Sequence, residues 1–329
     1  MLDAIFFPML SFLLIPAMSS YSTSLNLLFF YMTWATLVLS HPPLKVEMVG
    51  TIAVRALFYL LPSTLFYLFD ILVPSGAIVL KAQGHDGLPG GKRGKMGKKQ
   101  AKIVGWAMLN LASAIALQGL IEFALTRVLG VKSALRVSTR LPMPWAIGKD
   151  VALGLLVREI LHYTLHRYTL HSTTSFVAKC HESWYHSLPA PYPLTAHYDH
   201  PLAYLVSRFV PTFLPAALLR FHLISYIIYL SIISVEETFA YSGYKALPTS
   251  FFLGGVARRM DLHVLGKGYG NFGAWGILDW VLGTTIGEDG GEEEEEGLQQ
   301  GLGEVVANAA SGSKKAREVK GRTRRRRDS

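Results

Sequence analysis

Apolar residues in this chain come in long runs, not in the short alternations that build half-buried strands. A helical membrane span needs about 20 mostly apolar residues. Residues 23–40 (TSLNLLFFYMTWATLVLS) and 104–125 (VGWAMLNLASAIALQGLIEFAL) fit that requirement. So does the pair 202–219 and 221–239, which reads as a hairpin with its tip at Arg220–His222. Residues 52–74 are equally apolar but contain Arg55, Pro62 and Asp70. Residues 143–161 mix apolar positions with Lys149, Asp150, Arg158 and Glu159, and read as a helix partly buried in protein. Residues 4–17 are short and interrupted by two prolines, which suits an interfacial segment retained in the protein. The pattern predicts an all-α, multi-span integral membrane protein.

Composition agrees with that pattern. Hydrophobic residues make up 50% of the 329, charged residues only 17%, and mean hydropathy is +0.30. Soluble domains rarely combine those values. The single cysteine, Cys180, excludes an intrachain disulfide and a thiolate metal site. The formal charge of +9 is concentrated in 92–103, where six residues are Lys or Arg, and in the last sixteen residues. Basic segments beside spans mark the cytosolic side of a membrane protein. No aromatic-basic motif accompanies the arginine run 324–327, so nucleic-acid binding is not expected. A terminal basic run also suits an anionic membrane surface.

The chain divides into N-terminal membrane segments (1–80), a basic cytosolic loop (81–103), a membrane domain (104–286) and a low-complexity acidic and basic tail (287–329) expected to be disordered. If 104–125 pairs with 143–161, and 202–219 with 221–239, then the basic loop, 162–201 and 240–285 share one side. A histidine-rich cap then faces the cytosol. Arg127, Lys132, Arg136 and Arg140 in the loop 126–142 weaken that orientation without reversing it.

Seven of the eleven histidines fall within the 39 residues 162–200: His162, His166, His171, His181, His186, His197 and His200. His263 follows later in the same shared-side region, and His222 falls at the hairpin tip. A lone histidine in an apolar segment is usually a hydrogen-bonded core residue, but this density beside membrane spans points to metal binding. Imidazole suits iron, zinc and copper. His162 and His166, four apart, share a helical face. His171 lies about 140° further round an ideal helix, so it joins them only if the helix ends or bends there. His197 and His200 are followed by Pro201, which indicates a turn or helix end.

Taken as an ordered set, these segments resemble the fatty acid hydroxylase and sterol desaturase superfamily over roughly 145–286. EILHYTLHRYTLH (159–171) matches its first histidine box, and HESWYHSLPAPYPLTAHYDHP (181–201) its second and third. YSGY (241–244), MDLHV (260–264), GNFG (270–273), LDW (278–280) and GT (283–284) follow in the family's order. The chain departs from the pattern at Tyr185, Tyr241, Met260 and Val264, which stand at histidine positions, and His181 is displaced by one.

The resemblance implies an endoplasmic reticulum membrane protein with a histidine-ligated di-iron centre. Its ligands would be His166, His171, His181, His186, His197, His200 and His263, with His162 recruited to complete the set. The implied reaction is iron- and O2-dependent hydroxylation or desaturation of a lipid, of sterol, long-chain acyl or sphingoid type. The implied electron donor is a b-type cytochrome or its NAD(P)H reductase. The basic segment 92–103 is either its docking site or a plain positive-inside loop. Glu159 and Arg167 are candidates for orienting the ligands, or for a surface ion pair. The interrupted boxes keep a second class open: a catalytically inactive relative acting as a membrane scaffold or lipid-binding protein. A histidine-rich metal transporter is the third, disfavoured because the strongest spans hold few polar residues.

Overall fold

The computed structural model describes residues 20–90, 97–171, 175–188, 190–245, 255–266 and 268–287. The interfacial segment expected at 4–17 and the tail beyond 287 lie outside the described residues. Among the described residues the fold is helical throughout, with two isolated bridges, Lys81 to Tyr244 and Arg136 to His222.

Helix α1 spans Ser20–Ser40. Helix α2 runs Pro43–Leu72, α3 Pro74–Leu80 and α4 Lys98–Val128. Helix α5 spans Pro144–Leu165, and α6 spans Phe176–Trp184. Helices α7 (Pro201–Leu218) and α8 (Leu223–Ala240) form the expected hairpin, with Arg220 at its tip in the left-handed region (φ 48°). Helices α9 (Gly255–Leu265) and α10 (Ile277–Val281) complete the chain. Helices α2, α4, α7 and α8 are long and apolar enough to cross a membrane. Helix α4 begins at Lys98, inside the segment read from sequence as loop, and Gly84–Gly87 forms a 3-10 turn.

Prolines account for two local widenings of these helices. Ala56–Leu60 and Leu205–Phe209 are π turns, lying just before Pro62 and Pro211. A proline inside a helix offers no N–H and crowds the carbonyl four residues back, and a wider turn accommodates both.

Charged residues inside the spans point into the bundle, where they pair. Arg55 of α2 bonds Glu237 of α8. Arg158 of α5 makes a bidentate pair with Glu236 of α8 at 2.8 and 2.9 Å. Asp70 meets Lys81 at 2.7 Å. Apolar solvent cannot satisfy such groups, so each is placed where a partner waits. The α5–α8 crossing is close because Gly154 has no side chain: a Cβ there would sit 2.7 Å from Phe221 and 3.1 Å from Tyr229.

The bundle has two distinct ends. At one, Arg136 and His222 bridge the 131–141 segment to the hairpin tip. At the other, the Lys81–Tyr244 bridge and the Trp106–Trp184 contact (5.1 Å) gather the start of α4, helix α6 and the end of α8. The 131–141 segment and the hairpin tip thus lie at one end of the bundle, and the start of α4, helix α6 and the end of α8 at the other.

Candidate metal centre

Four imidazoles converge at that second end. Ligand nitrogens of His166, His171, His181 and His263 all lie within 4.8 Å of one another. His166 and His171 Nε2 atoms are 3.3 Å apart. Metal–nitrogen bonds of about 2.1 Å put tetrahedral ligands about 3.4 Å apart, so the rings need to draw in by less than about 1 Å each.

His171 reaches the group through a change of helix type. Helix α5 continues into a π turn at His166–Leu170, and the His171 N–H bonds the His166 carbonyl at 3.1 Å. An i→i+5 turn spreads five residues over roughly one circuit, so two residues that diverge on an α-helix come to one face. Its ring would collide with any side chain at position 268: a Cβ on Gly268 (φ +83°) would lie 2.0 Å from His171 Cε1.

The other ligands are aimed by hydrogen bonds to their second nitrogen. His162 and His166 share one acceptor, the Phe272 carbonyl, at 3.1 and 2.9 Å from their Nδ1 atoms. His263 Nδ1 meets the Gly270 carbonyl at 2.6 Å, and His181 Nδ1 meets Asp199 Oδ2 at 2.6 Å. Fixing Nδ1 in this way leaves Nε2 as the donor atom. The Nε2 atoms of His162, His181 and His263 are buried and have no hydrogen-bond partner. Buried polar atoms are almost always satisfied, so unpartnered nitrogens converging beside one another fit a metal ion.

The 270–286 loop that supplies these carbonyls is itself held by carboxylates. The fully buried Asp279 accepts from the Phe272 and Gly273 N–H groups (2.8 and 2.6 Å) and the Thr284 hydroxyl (2.7 Å). Glu159 accepts from the Trp275 and Ile277 N–H groups at 2.9 and 3.2 Å. Asn271, at φ 56°, pins both strands of the loop: its N–H bonds the Thr284 carbonyl, and its side chain accepts from Ile286 N–H. The sequence flagged this loop as a string of family-like motifs. Its role in holding the ligands is carried by main-chain carbonyls, which no residue type announces.

Burial favours the neutral form of His166, His171, His186 and His263. It pushes His171 down to about 3 and His186 to about 4, with neighbouring imidazoles adding to the effect. His263 is held well below the usual histidine range for the same reason. Neutral imidazole is the ligating form.

The remaining candidates are placed differently. The His186 ring lies 5.1–5.2 Å from those of His171, His181 and His263, at the edge of the group. His162 stands behind His166, 5.3 Å ring to ring. His197 lies apart: Tyr204 Oη is 3.0 Å from its Nδ1, and Glu237 is 3.6 Å from its Nε2. His200 caps α7, its Nδ1 accepting from Leu202 N–H at 3.3 Å, with its ring against Trp184. Arg167 does not pair with Glu159; it bonds the Tyr163 hydroxyl and lies over the rings of Tyr163 and Tyr168.

The interrupted box positions also meet. Tyr185 Oη is 2.5 Å from Tyr241 Oη and 2.9 Å from Met260 Sδ. The donors here fit one ion; the positions that would complete a second carry phenols and a thioether.

Residues 151–284 match the profile of the family described as Fatty acid hydroxylase. The proteins named Fatty acid hydroxylase domain-containing protein 2 from Macaca fascicularis and Homo sapiens are each 30% identical to this chain over 137 residues. The alignment covers 41% of this chain and 38% of either relative's length. No solved structure matches the chain. The matched segment contains α5 from Val151 onward, the π turn and every histidine of the converging group, so it is the imidazole-bearing part of the chain that is similar to the fatty acid hydroxylase family.

Proposed function

We propose that this protein is a membrane-embedded, iron-dependent oxidoreductase that hydroxylates or desaturates a lipid. The observation that carries the reading is the convergence of His166, His171, His181 and His263 on one point. Three of these four rings are fixed through Nδ1 by protein acceptors. His186 flanks the site and is the candidate fifth ligand. Iron held this way supplies dioxygen activation and attack on an unactivated C–H bond.

The protein's own part is positioning and exclusion. The Phe272 and Gly270 carbonyls and Asp199 set ring orientation. Burial disfavours protonation of His166, His171 and His263. The four candidate spans support a lipid as the substrate class. In this reading the protein sits in the endoplasmic reticulum membrane with the histidine end towards the cytosol. The exposed Lys98, Lys99 and Lys102 would meet a b-type cytochrome or its NAD(P)H reductase there.

A second reading draws on the Tyr185–Tyr241–Met260 contact and on the cavity beside the ligands, which at about 10 Å³ holds about one water. An inactive relative that keeps the fold as a scaffold would tolerate both. The two readings separate on one preparation. The full chain in detergent is assayed for bound iron and zinc, then incubated with membrane lipid extract, reductant and O2. The enzyme reading expects iron lost in His166→Ala, and a lipid that gains one oxygen atom or loses two hydrogens only with the unaltered protein. Well-folded protein without metal, and an unchanged lipid profile, would leave the scaffold.

A further inference from the structure

Three of the four interruptions of the histidine pattern lie on separate elements, yet they occupy one place. Tyr185 comes from the turn after α6, Tyr241 from the end of α8 and Met260 from α9. Their side chains are 3%, 0% and 6% exposed, and Tyr185 Oη touches both of the others, at 2.5 and 2.9 Å. Arg208 of α7 donates to the Tyr241 hydroxyl and lies over its ring at 5.3 Å. Tyr185 stacks on His181 at 4.8 Å, so this group adjoins the four imidazoles.

Between the two groups lies the water-sized cavity, walled by His162, His166 and His181 on one side and by Tyr185, Tyr204 and Arg208 on the other. A second cation placed there would find His162 Nε2 unpartnered, while His181 Nε2 is committed to the first group and the Asp199 carboxylate in the same wall is already engaged by His181 Nδ1 and the His200 N–H. His197 is turned to Tyr204 and Glu237. The two phenols are bonded to each other, and a thioether is a soft donor that suits ferrous iron poorly beside imidazole. A guanidinium carries a permanent positive charge, and in a buried space its repulsion of a metal ion is weakly screened.

We infer that this protein holds a single metal ion, and that Tyr185, Tyr241, Met260 and Arg208 form a hydrogen-bonded replacement for the second ion of the di-iron centre its family resemblance implies. The inference rests on the four-imidazole site being a metal site, as proposed above.

The test is stoichiometry. The full chain in detergent is loaded anaerobically with ferrous iron and freed of excess, and iron per chain is measured by mass spectrometry. The expected value is one, falling to near zero in His166→Ala. After oxidation, a lone ferric ion gives an electron paramagnetic resonance signal, whereas a coupled ferric pair is silent. Two irons per chain with a silent spectrum would overturn the inference and leave the oxidoreductase reading standing. No iron in folded protein would remove that reading and the inference with it. Tyr185→Phe and Met260→Leu supply an independent check. Each should retain one iron per chain, and a loss of iron in either, with the fold intact by circular dichroism, would make that residue a ligand and overturn the inference.

Discussion

Asp279→Asn tests whether the 270–286 loop sets the ligand geometry. Asp279 touches no histidine. Its Oδ1 accepts from Phe272 N–H and the Thr284 hydroxyl, and its Oδ2 from Gly273 N–H. An amide at this position keeps one accepting oxygen and turns an NH2 group towards a backbone N–H. One charge-assisted hydrogen bond is lost, worth about 1.5–3 kcal/mol, and a buried donor is left unpaired at about 1–3 kcal/mol. Partial relaxation of the loop brings the expected loss to about 2–4 kcal/mol. The Phe272 carbonyl, which serves both His162 and His166, moves with the loop. Partners that orient ligands typically change metal affinity by about 10–100-fold when removed. The assay is chelator competition for bound metal, alongside thermal unfolding followed by tryptophan fluorescence. A variant with unchanged midpoint and unchanged affinity would refute the claim that the loop aims the ligands. A lowered midpoint with unchanged affinity would confine Asp279 to folding.

Other substitutions separate neighbouring roles. His200→Ala should leave metal affinity unchanged and cost about 0.5–2 kcal/mol through loss of the α7 cap, whereas His166→Ala should abolish binding; metal content and thermal midpoint report the two effects. Gly268→Ala forces a side chain onto the His171 ring in a left-handed backbone and should lower metal content more than Gly283→Ala, where the backbone is also left-handed (φ +65°) but space is open. Because the folded-state values of His171 and His186 lie far below the ordinary 6.5, the unfolded chain takes up protons first as the solution is acidified. Stability of the metal-free protein should therefore be full above pH 6.5 and fall between pH 6.5 and about 3, with His186→Gln flattening the slope of midpoint against pH. Arg158→Ala leaves Glu236 buried without its bidentate partner and should cost about 3–5 kcal/mol, measurable as a large drop in midpoint.

Helices α2, α4, α7 and α8 and the gathering of both histidine segments at one end were legible in the hydrophobic pattern and in the order of spans, whereas 23–40, read as a span, is among the described residues a shorter apolar helix, Leu25–Ser40. The four-residue spacing of His162 and His166 correctly put both rings on one face, and both now share the Phe272 carbonyl. His171 was not placed by helical geometry, because the π turn that brings it round has no proline or glycine to announce it. The π turns before Pro62 and Pro211 do carry that signal. His200 is spaced like a ligand, yet Pro201 gave a competing cue: proline favours the first position of a helix, which makes the residue before it the cap. The replacement group was visible only as a set of departures. That Tyr185, Tyr241 and Met260 touch depends on three elements meeting, which local pattern does not encode.

The location of the centre follows from how the bundle handles its charges. Arg158 and Glu159 are adjacent on α5 and divide the work. Arg158 reaches Glu236 on α8, and Glu236 also accepts from the Trp275 indole at 2.6 Å, while Glu159 accepts from the Trp275 and Ile277 main chain. One turn of α5 therefore fastens the last span and the 270–286 loop to the same helix that carries His162 and His166. A helix so fixed holds its ligands in register with the loop carbonyls that aim them. The charged residues that sequence reading found inside an otherwise apolar helix thus fix the imidazole group in place: Arg158 and Glu159 join α8 and the 270–286 loop to α5, and His162 and His166 stand one to two turns beyond them on the same helix.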